Sequence, residues 1–274
     1  MSQDQSPQPP LLISSTLRIA TWNVWANFGA WKERYALPEA ELRRADPDVI
    51  CLQEVWRGDG YDAAADLAQR LGYHHSAAVD WFELLKIESG AAILSRWEIS
   101  RTDKLALPAE DGGSGALFQF AEVQGPRGPV LIFNAMLDWR PDLSHVRQAQ
   151  VRQLCAWIRD RRIPRSLILL AGDFNAAPDS DEIRMITGKR EAAQVGLVFY
   201  DAWEAVRPQE CGWTWANTNP LTHSFPLPDR RIDFIFSAWG GRGGLGQPTA
   251  ADLLSHGPDA FASDHYGVWA DLRY

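Results

Sequence analysis

Asn23 in TWNVW, Glu54 in LQEVW, Asp173 and Asn175 in GDFN, Asp233 in RIDFIF, and Asp264 with His265 in SDH are polar side chains that end or interrupt short apolar runs. Taken singly, an Asn or Asp at such a place caps a turn. Taken together they are carboxylates, amides and one imidazole. Those groups are the oxygen ligands, phosphate-orienting donors and proton-transfer group that metal-assisted phosphoester hydrolysis requires.

The runs that must position them are Leu17 to Trp22, Val49 to Leu52, Ala92 to Leu94, Leu117 to Val123, Val130 to Leu137, Leu167 to Ala171, Ile232 to Phe236 and Gly267 to Leu272. Their apolar and β-branched content predicts strands. Pro126, Arg127 and Gly128 predict a hairpin connection between two of them. Helices are predicted at Asp62 to Leu71, Ala-rich and stopped by Gly72, and at Ser144 to Asp160, where Ser144 is a good N-cap. In the second helix Val146, Ala149, Leu154, Trp157 and Ile158 fall near one face. Strands mixed with helices and an antiparallel hairpin predict an α/β or α+β fold, two packed sheets covered by helices.

A chain of 274 residues with 46% hydrophobic content is expected to form one domain, over residues 16–274. Residues 1–15 are polar and Pro-rich, unlike a signal peptide, and are expected to be a flexible tail. No apolar run approaches the roughly 18 residues of a membrane span, so no transmembrane segment is expected. Cys51, Cys155 and Cys211 are widely spaced and odd in number, which points to reduced thiols and a cytoplasmic location. The net charge of −8 argues against indiscriminate binding of nucleic acid, although a local basic groove could coexist with it. Arg159, Arg161, Arg162 and Arg165 read as solvated cations complementing a helix end, and GGRGGLG at 240–246 as a flexible connection.

In the order WN, QE, GDFN, RIDFIF, SDH, with a weaker TW at Thr214 and Trp215, the sequence resembles the endonuclease/exonuclease/phosphatase superfamily. That fold is shared by apurinic endonucleases, pancreatic-type deoxyribonuclease, neutral sphingomyelinases and inositol polyphosphate 5-phosphatases. The resemblance covers nearly everything after residue 16 and implies a four-layer α/β/β/α sandwich of two mixed sheets flanked by helices. It implies that Glu54 is the main ligand of Mg²⁺, with Mn²⁺ as substitute, assisted by Asn23 and Asp264. It also implies that Asp173 orients or deprotonates the attacking water, that Asn175 and Asn23 contact the substrate, and that His265 sits against the phosphate with its tautomer fixed by Asp233. The general base is then either Asp173 or His265.

Two positions depart from the family: Ala91 in SGAAILSR, where relatives often have Asn, is the lesser, and Met136 is the one that matters. Relatives commonly carry His within a pattern like N-T-H-L; here the residues are Asn134, Ala135, Met136 and Leu137. A thioether has no proton to give a leaving group. Either no acid is needed, or a neighbour such as His145 substitutes, or catalysis is impaired. Arg140, His145 and Arg147 could together form an anion clamp. Among thirteen tryptophans, Trp25, Trp56, Trp139, Trp213 and Trp215 lie near the motifs. Core packing is the ordinary reading for each, and Trp139 is the one expected to be exposed and to meet substrate. The expected function is divalent-metal-dependent hydrolysis of a phosphodiester or phosphomonoester, with the acidic balance favouring a small or lipid-derived ester. The alternatives are a nuclease on DNA or RNA, and a catalytically impaired phosphate-ligand binding protein motivated by Met136.

Overall fold

The computed structural model describes residues 12–58, 60–84, 87–110, 112–239, 241–254 and 261–274, leaving aside the side chains of 75–84, 87 and 88. In chain order the strands are β1 (Thr16–Asn23), β2 (Val49–Gly58), β3 (Tyr61–Asp62), β4 (His75–Leu84), β5 (Ile87–Ser95), β6 (Ile99–Leu107) and β7 (Ala116–Gly125). They continue with β8 (Gly128–Met136), β9 (Leu167–Asp173), β10 (Phe199–Asp201), β11 (Asp233–Ala238), β12 (Pro248–Leu254) and β13 (Gly267–Arg273). The helices are α1 (Trp31–Arg34), α2 (Ala36–Ala45), α3 (Ala63–Leu71), α4 (Ser144–Arg159), α5 (Asp181–Thr187) and α6 (Ala202–Val206).

Two mixed sheets are flanked by helices. One runs β12-β13-β1-β2-β5-β4 with β3 beside β2, and the other β10-β11-β9-β8-β7-β6. Strand alternation sorts the core into three layers. Leu17 and Ile19 of β1, Val49 and Cys51 of β2, Leu167, Leu169 and Ala171 of β9, and Val268 and Ala270 of β13 meet between the sheets. Their neighbours Ala20, Trp22, Ile50 and Leu52 face outward onto Leu42 of α2 and Leu67 of α3. On the other side Leu131, Phe133, Leu170 and Phe236 pack on Val151, Leu154 and Ile158 of α4 and on Ile183 and Ile186 of α5.

The expected strands and hairpin are present; Gly125 pairs with Gly128, so the turn itself is Pro126 and Arg127. Asp62 caps α3 through the N–H of Ala65, and Gly72 ends it in the left-handed conformation. Ser144 corrects the reading of α4: the N-cap position is Leu143, with no side-chain cap, and the Ser144 hydroxyl donates instead to Glu182 at 2.8 Å. The buried face of that helix also carries Arg147 and Gln150. Of the expected flexible tail, residues 1–11 lie outside the described residues. Residues 13 and 15 are tethered, through Ile13 N–H to Gly243 O at 2.9 Å and Tyr274 N–H to Ser15 O at 2.9 Å. The three cysteines are free thiols, two of them buried. Arg159 pairs with Asp160 and Arg161 with Asp103 at the surface. No helix among the described residues is long and apolar enough to cross a membrane.

Candidate active site

The stripe of side chains between the sheets turns polar at one edge. Gln53 of β2 donates to Asn134 Oδ1 at 2.6 Å and to Thr21 Oγ1 at 3.1 Å, while Asn134 donates to Leu52 O at 2.9 Å and Ala92 O at 3.2 Å. Every member is buried, and this network closes the apolar core. One step further along each strand come the site residues. Asn23 ends β1, Asp173 ends β9, and Asp233 starts antiparallel β11 directly opposite Asp173. Asp264 and His265 precede β13. Because alternation had already aimed Thr21, Ala171 and Ile235 between the sheets, it aims Asn23, Asp173 and Asp233 there too.

Glu54 breaks that rule. Two residues after Leu52 its side chain should face the helices, but β2 is irregular between Leu52 and Val55 and Glu54 has φ +52°. The bulge hands the helix-facing place to Val55 and turns Glu54 into the site. Trp25, Ala26 and Asn175 also have positive φ, so most of the strained non-glycine backbone of the described residues gathers here.

Asn23 ties the halves together, its amide donating to Glu54 Oε1 at 3.0 Å and Asp173 Oδ2 at 3.1 Å. Asp173 accepts from the Asn175 backbone at 2.9 Å and from its amide at 3.2 Å, and that amide also donates to Leu137 O at 3.1 Å. Both donors of Asn175 are therefore engaged within the protein, and contact with a phosphate oxygen needs one of them to be released. His265 Nδ1 lies 2.9 Å from Asp233 Oδ2, and Nε2 lies 4.0 Å from Asp173 Oδ2. Two residues outside the carboxylate and imidazole set brace this array. The buried Thr214 hydroxyl accepts from Ile232 N–H at 3.0 Å and Asp233 N–H at 3.1 Å. Ser263 Oγ lies 2.7 Å from Asn23 O and 3.1 Å from Asp264 Oδ1, and accepts from His265 N–H at 3.1 Å.

Burial pushes the Asp173 carboxyl up to about 6, reinforced by the charge of Asp233 and opposed by His265. Burial likewise raises Asp264 to about 7, with His265 opposing and Glu54 reinforcing. Glu54 is raised by the same desolvation. For His265 burial disfavours the charged form, yet Asp233 and Asp173 outweigh it and hold the imidazole well above its ordinary range. A cation placed between Glu54 and Asp264 would relieve their mutual repulsion. Carboxylate and amide oxygens without a thiolate suit a hard divalent ion. Asp173, Asp233 and His265 form a second compact group, their ligand atoms within 4.8 Å of one another. There, however, Nδ1 of the imidazole is already committed to Asp233.

A cavity of about 540 Å³ opens onto these groups. Glu54, Asp173, Asn175, Asp264 and His265 line it together with Met136, while Trp25, Phe28, Trp139, Trp215, Phe225 and Leu227 make its walls apolar. Met136 is paired with Asp173 across the β8–β9 ladder, so the departing position faces the reacting groups. Trp139 is exposed at the mouth, edge-on to Phe225 with centroids 5.3 Å apart. Trp56 packs against Trp31 and Tyr61 instead, and Trp213 is absent from the cavity lining.

The clamp expected of Arg140, His145 and Arg147 does not form. Arg147 points into the fold and pairs with buried Glu182 at 2.6 Å, Arg140 pairs with Asp142 at 2.7 Å, and exposed His145 does not line the cavity. The reason is helical geometry: the inward face of α4 is taken by Val146 and Arg147, which turns His145 outward. His145 as a substitute acid or substrate contact is thereby corrected. Phe225, Leu227 and Arg230 line the cavity from an irregular segment whose sequence carries no motif.

The model of the Endonuclease/Exonuclease/phosphatase family matches residues 20–265. Nocturnin of Rattus norvegicus is 25% identical over 295 residues, covering 95% of this chain and 64% of that protein. The chain spans between about a third and two thirds of the length of the curated relatives it matches. An endonuclease/exonuclease/phosphatase structure from Beutenbergia cavernae superposes with a TM-score of 0.73 at 26% identity, covering 94% of this chain and 71% of the other. D. rerio TDP2 complexed with single-strand DNA product shares the fold, with a TM-score of 0.76 at 20% identity over 95% of this chain and all of the other.

Proposed function

The chain belongs to the endonuclease/exonuclease/phosphatase family, and from that premise we propose that it is a divalent-metal-dependent hydrolase of phosphoesters. The observation that carries this reading is the hydrogen-bonded array of Glu54, Asn23, Asp173, Asp233 and His265, of which Glu54, Asp173 and His265 line one cavity. Glu54 and Asp264 would hold Mg²⁺ or Mn²⁺, with Asn23 fixing the Glu54 carboxylate. When bound, the ion supplies Lewis-acid polarisation of a phosphoryl oxygen.

The chain's own groups do the rest. Asp233 holds His265 in one tautomer and leaves Nε2 facing the cavity. The 4.0 Å gap between Nε2 and Asp173 Oδ2 is too long for a direct hydrogen bond but admits one oxygen touching both. An attacking water held there loses its proton to one of the pair, while the other holds the oxygen in place for attack on phosphorus. Met136 offers no proton, so the leaving group departs with the help of solvent or of its own acidity.

Apolar walls and, among the described residues, a single arginine in the lining favour a substrate with one or two phosphates and an aromatic or aliphatic body over a long polyanion. A second reading, cleavage of single-stranded nucleic acid, draws on the aromatic pair Trp139 and Phe225 at the mouth, which suits base stacking. Screening phosphodiesters, phosphomonoesters and short oligonucleotides with Mg²⁺ and Mn²⁺ tests both. No turnover of any of them would leave the binding-protein reading.

A further inference from the structure

Trp215 and Arg230 face each other across an isolated antiparallel bridge, exchanging backbone hydrogen bonds of 2.9 and 2.8 Å. Residues paired in this way project from the same face of the ladder, and both side chains line the cavity. Both also bury a donor without a partner: the Trp215 indole Nε1 and the Arg230 guanidinium Nε. No carboxylate or carbonyl among the described residues accepts a hydrogen bond from either side chain. Among the described residues Arg230 is the one Lys or Arg in the lining, and most other described arginines are paired with carboxylates. The Trp215 ring stands at 82° to His265 with centroids 5.2 Å apart, and Arg230 lines the same cavity as Asp173 and His265.

Unpartnered buried donors are costly, and most are found to have a ligand or water as partner. Other orphaned groups occur, such as Gln150 Nε2 and Arg231 Nε, but those residues do not line the cavity. Asn23 and Asn175, the amides available for binding phosphate, spend their donors on Glu54, Asp173 and Leu137. Two directed N–H donors, one of them cationic, beside a polar floor match an anionic tetrahedral oxygen group.

We infer that Trp215 and Arg230 form a phosphate-oxyanion site, the indole N–H and the guanidinium donating to non-bridging oxygens of the substrate phosphate. The inference rests on the cavity taking a phosphoester. Desolvation lowers the Arg230 pKa, with Asp173 raising it, Arg147 lowering it and Asp233 raising it, and among the described residues none of these groups hydrogen-bonds its guanidinium.

Titration calorimetry with inorganic phosphate in excess Mg²⁺ tests the site separately from catalysis. Arg230→Met should weaken phosphate binding about 10-fold to 100-fold and Trp215→Phe several-fold, given the usual strength of charge-assisted hydrogen bonds. Arg230→Lys should recover part of the loss. Without phosphate, Arg230→Met should melt no lower than the parent protein, because an unpaired desolvated cation has been removed; a merely structural arginine would lower it. Phosphate binding within two-fold of the parent in both Arg230→Met and Trp215→Phe, or no phosphate binding by the parent, overturns the site. Phosphate binding that depends on Arg230 in a protein that hydrolyses nothing would sustain the site and remove the hydrolase reading.

Discussion

Raising pH in the presence of a chelator should destabilise this protein, and the site predicts by how much. Asp173 and Asp264 have carboxyls pushed up by burial to about 6 and about 7, against an ordinary value of 3.8 in the unfolded chain. A raised carboxyl means that the folded state holds a proton the unfolded state has released. Its contribution is therefore fully present below pH ~4 and is lost as pH rises through the folded value. Between pH 5 and the two folded values lie about one pH unit for Asp173 and two for Asp264. At ~1.4 kcal/mol per unit this is roughly 1 and 3 kcal/mol, and less than their sum because both interact with His265. His265, held above its ordinary range, acts with the same sign above pH ~6.5. Urea unfolding at pH 5, 6, 7 and 8 in chelator should show stability falling by on the order of 2–4 kcal/mol from the two carboxyls, with the fall continuing above pH ~7 as His265 gives up its proton. Excess Mg²⁺ should remove most of the slope, because a cation stabilises the ionised carboxylates, and Asp264→Asn should flatten it without metal. A flat or rising profile in chelator, or a slope indifferent to both Mg²⁺ and Asp264→Asn, would refute the electrostatic account of the site.

Three further outcomes follow from named contacts. Asp173→Asn or His265→Ala should lower kcat by ~10² or more in protein shown by circular dichroism to be folded, and near-normal steady-state rates in both would remove them from the reacting centre. Met136→His, placed beside Asp173, should speed hydrolysis of an alkyl ester by ~10-fold or more over its effect on a nitrophenyl ester if a general acid is missing. Equal gains on both would mean that the imidazole only stabilises charge. Glu182→Gln should destabilise folding by about 3 kcal/mol, since it strands Arg147, buried 2.6 Å away, while sparing the kinetics of the folded enzyme; chemical denaturation gives the first number and initial rates the second.

The strands that sequence reveals and those it hides divide by position in the sheets. β1, β2, β5, β7, β8, β9, β11 and β13 are interior strands, packed on both faces, and their apolar runs are conspicuous. β4, β6, β10 and β12 are the four edges, and none is evident in the sequence. β6 shows why: it reads ISRTDKLAL and is mostly exposed, the charged character that protects an edge from further pairing. In the site, side chains at regular strand ends were legible as chemistry because carboxylates at the end of a buried strand are out of place. The bulge that aims Glu54 was not, since the motif QEV is compatible with an unbroken strand. Proximity along the chain misled at His145 and Arg147, where one residue on a helix separates solvent from core. Phe225 and Arg230 reach the cavity from irregular backbone, for which neither period nor motif exists to be read.

The central claim is that one cavity binds a divalent cation and hydrolyses a phosphoester through Asp173 and His265. Initial rates on a reactive phosphodiester should vanish in chelator, return with Mg²⁺ or Mn²⁺, and fall ~10²-fold or more in metal-replete Asp173→Asn. Full turnover by chelated protein, or an Asp173→Asn variant as fast as its parent, would contradict it.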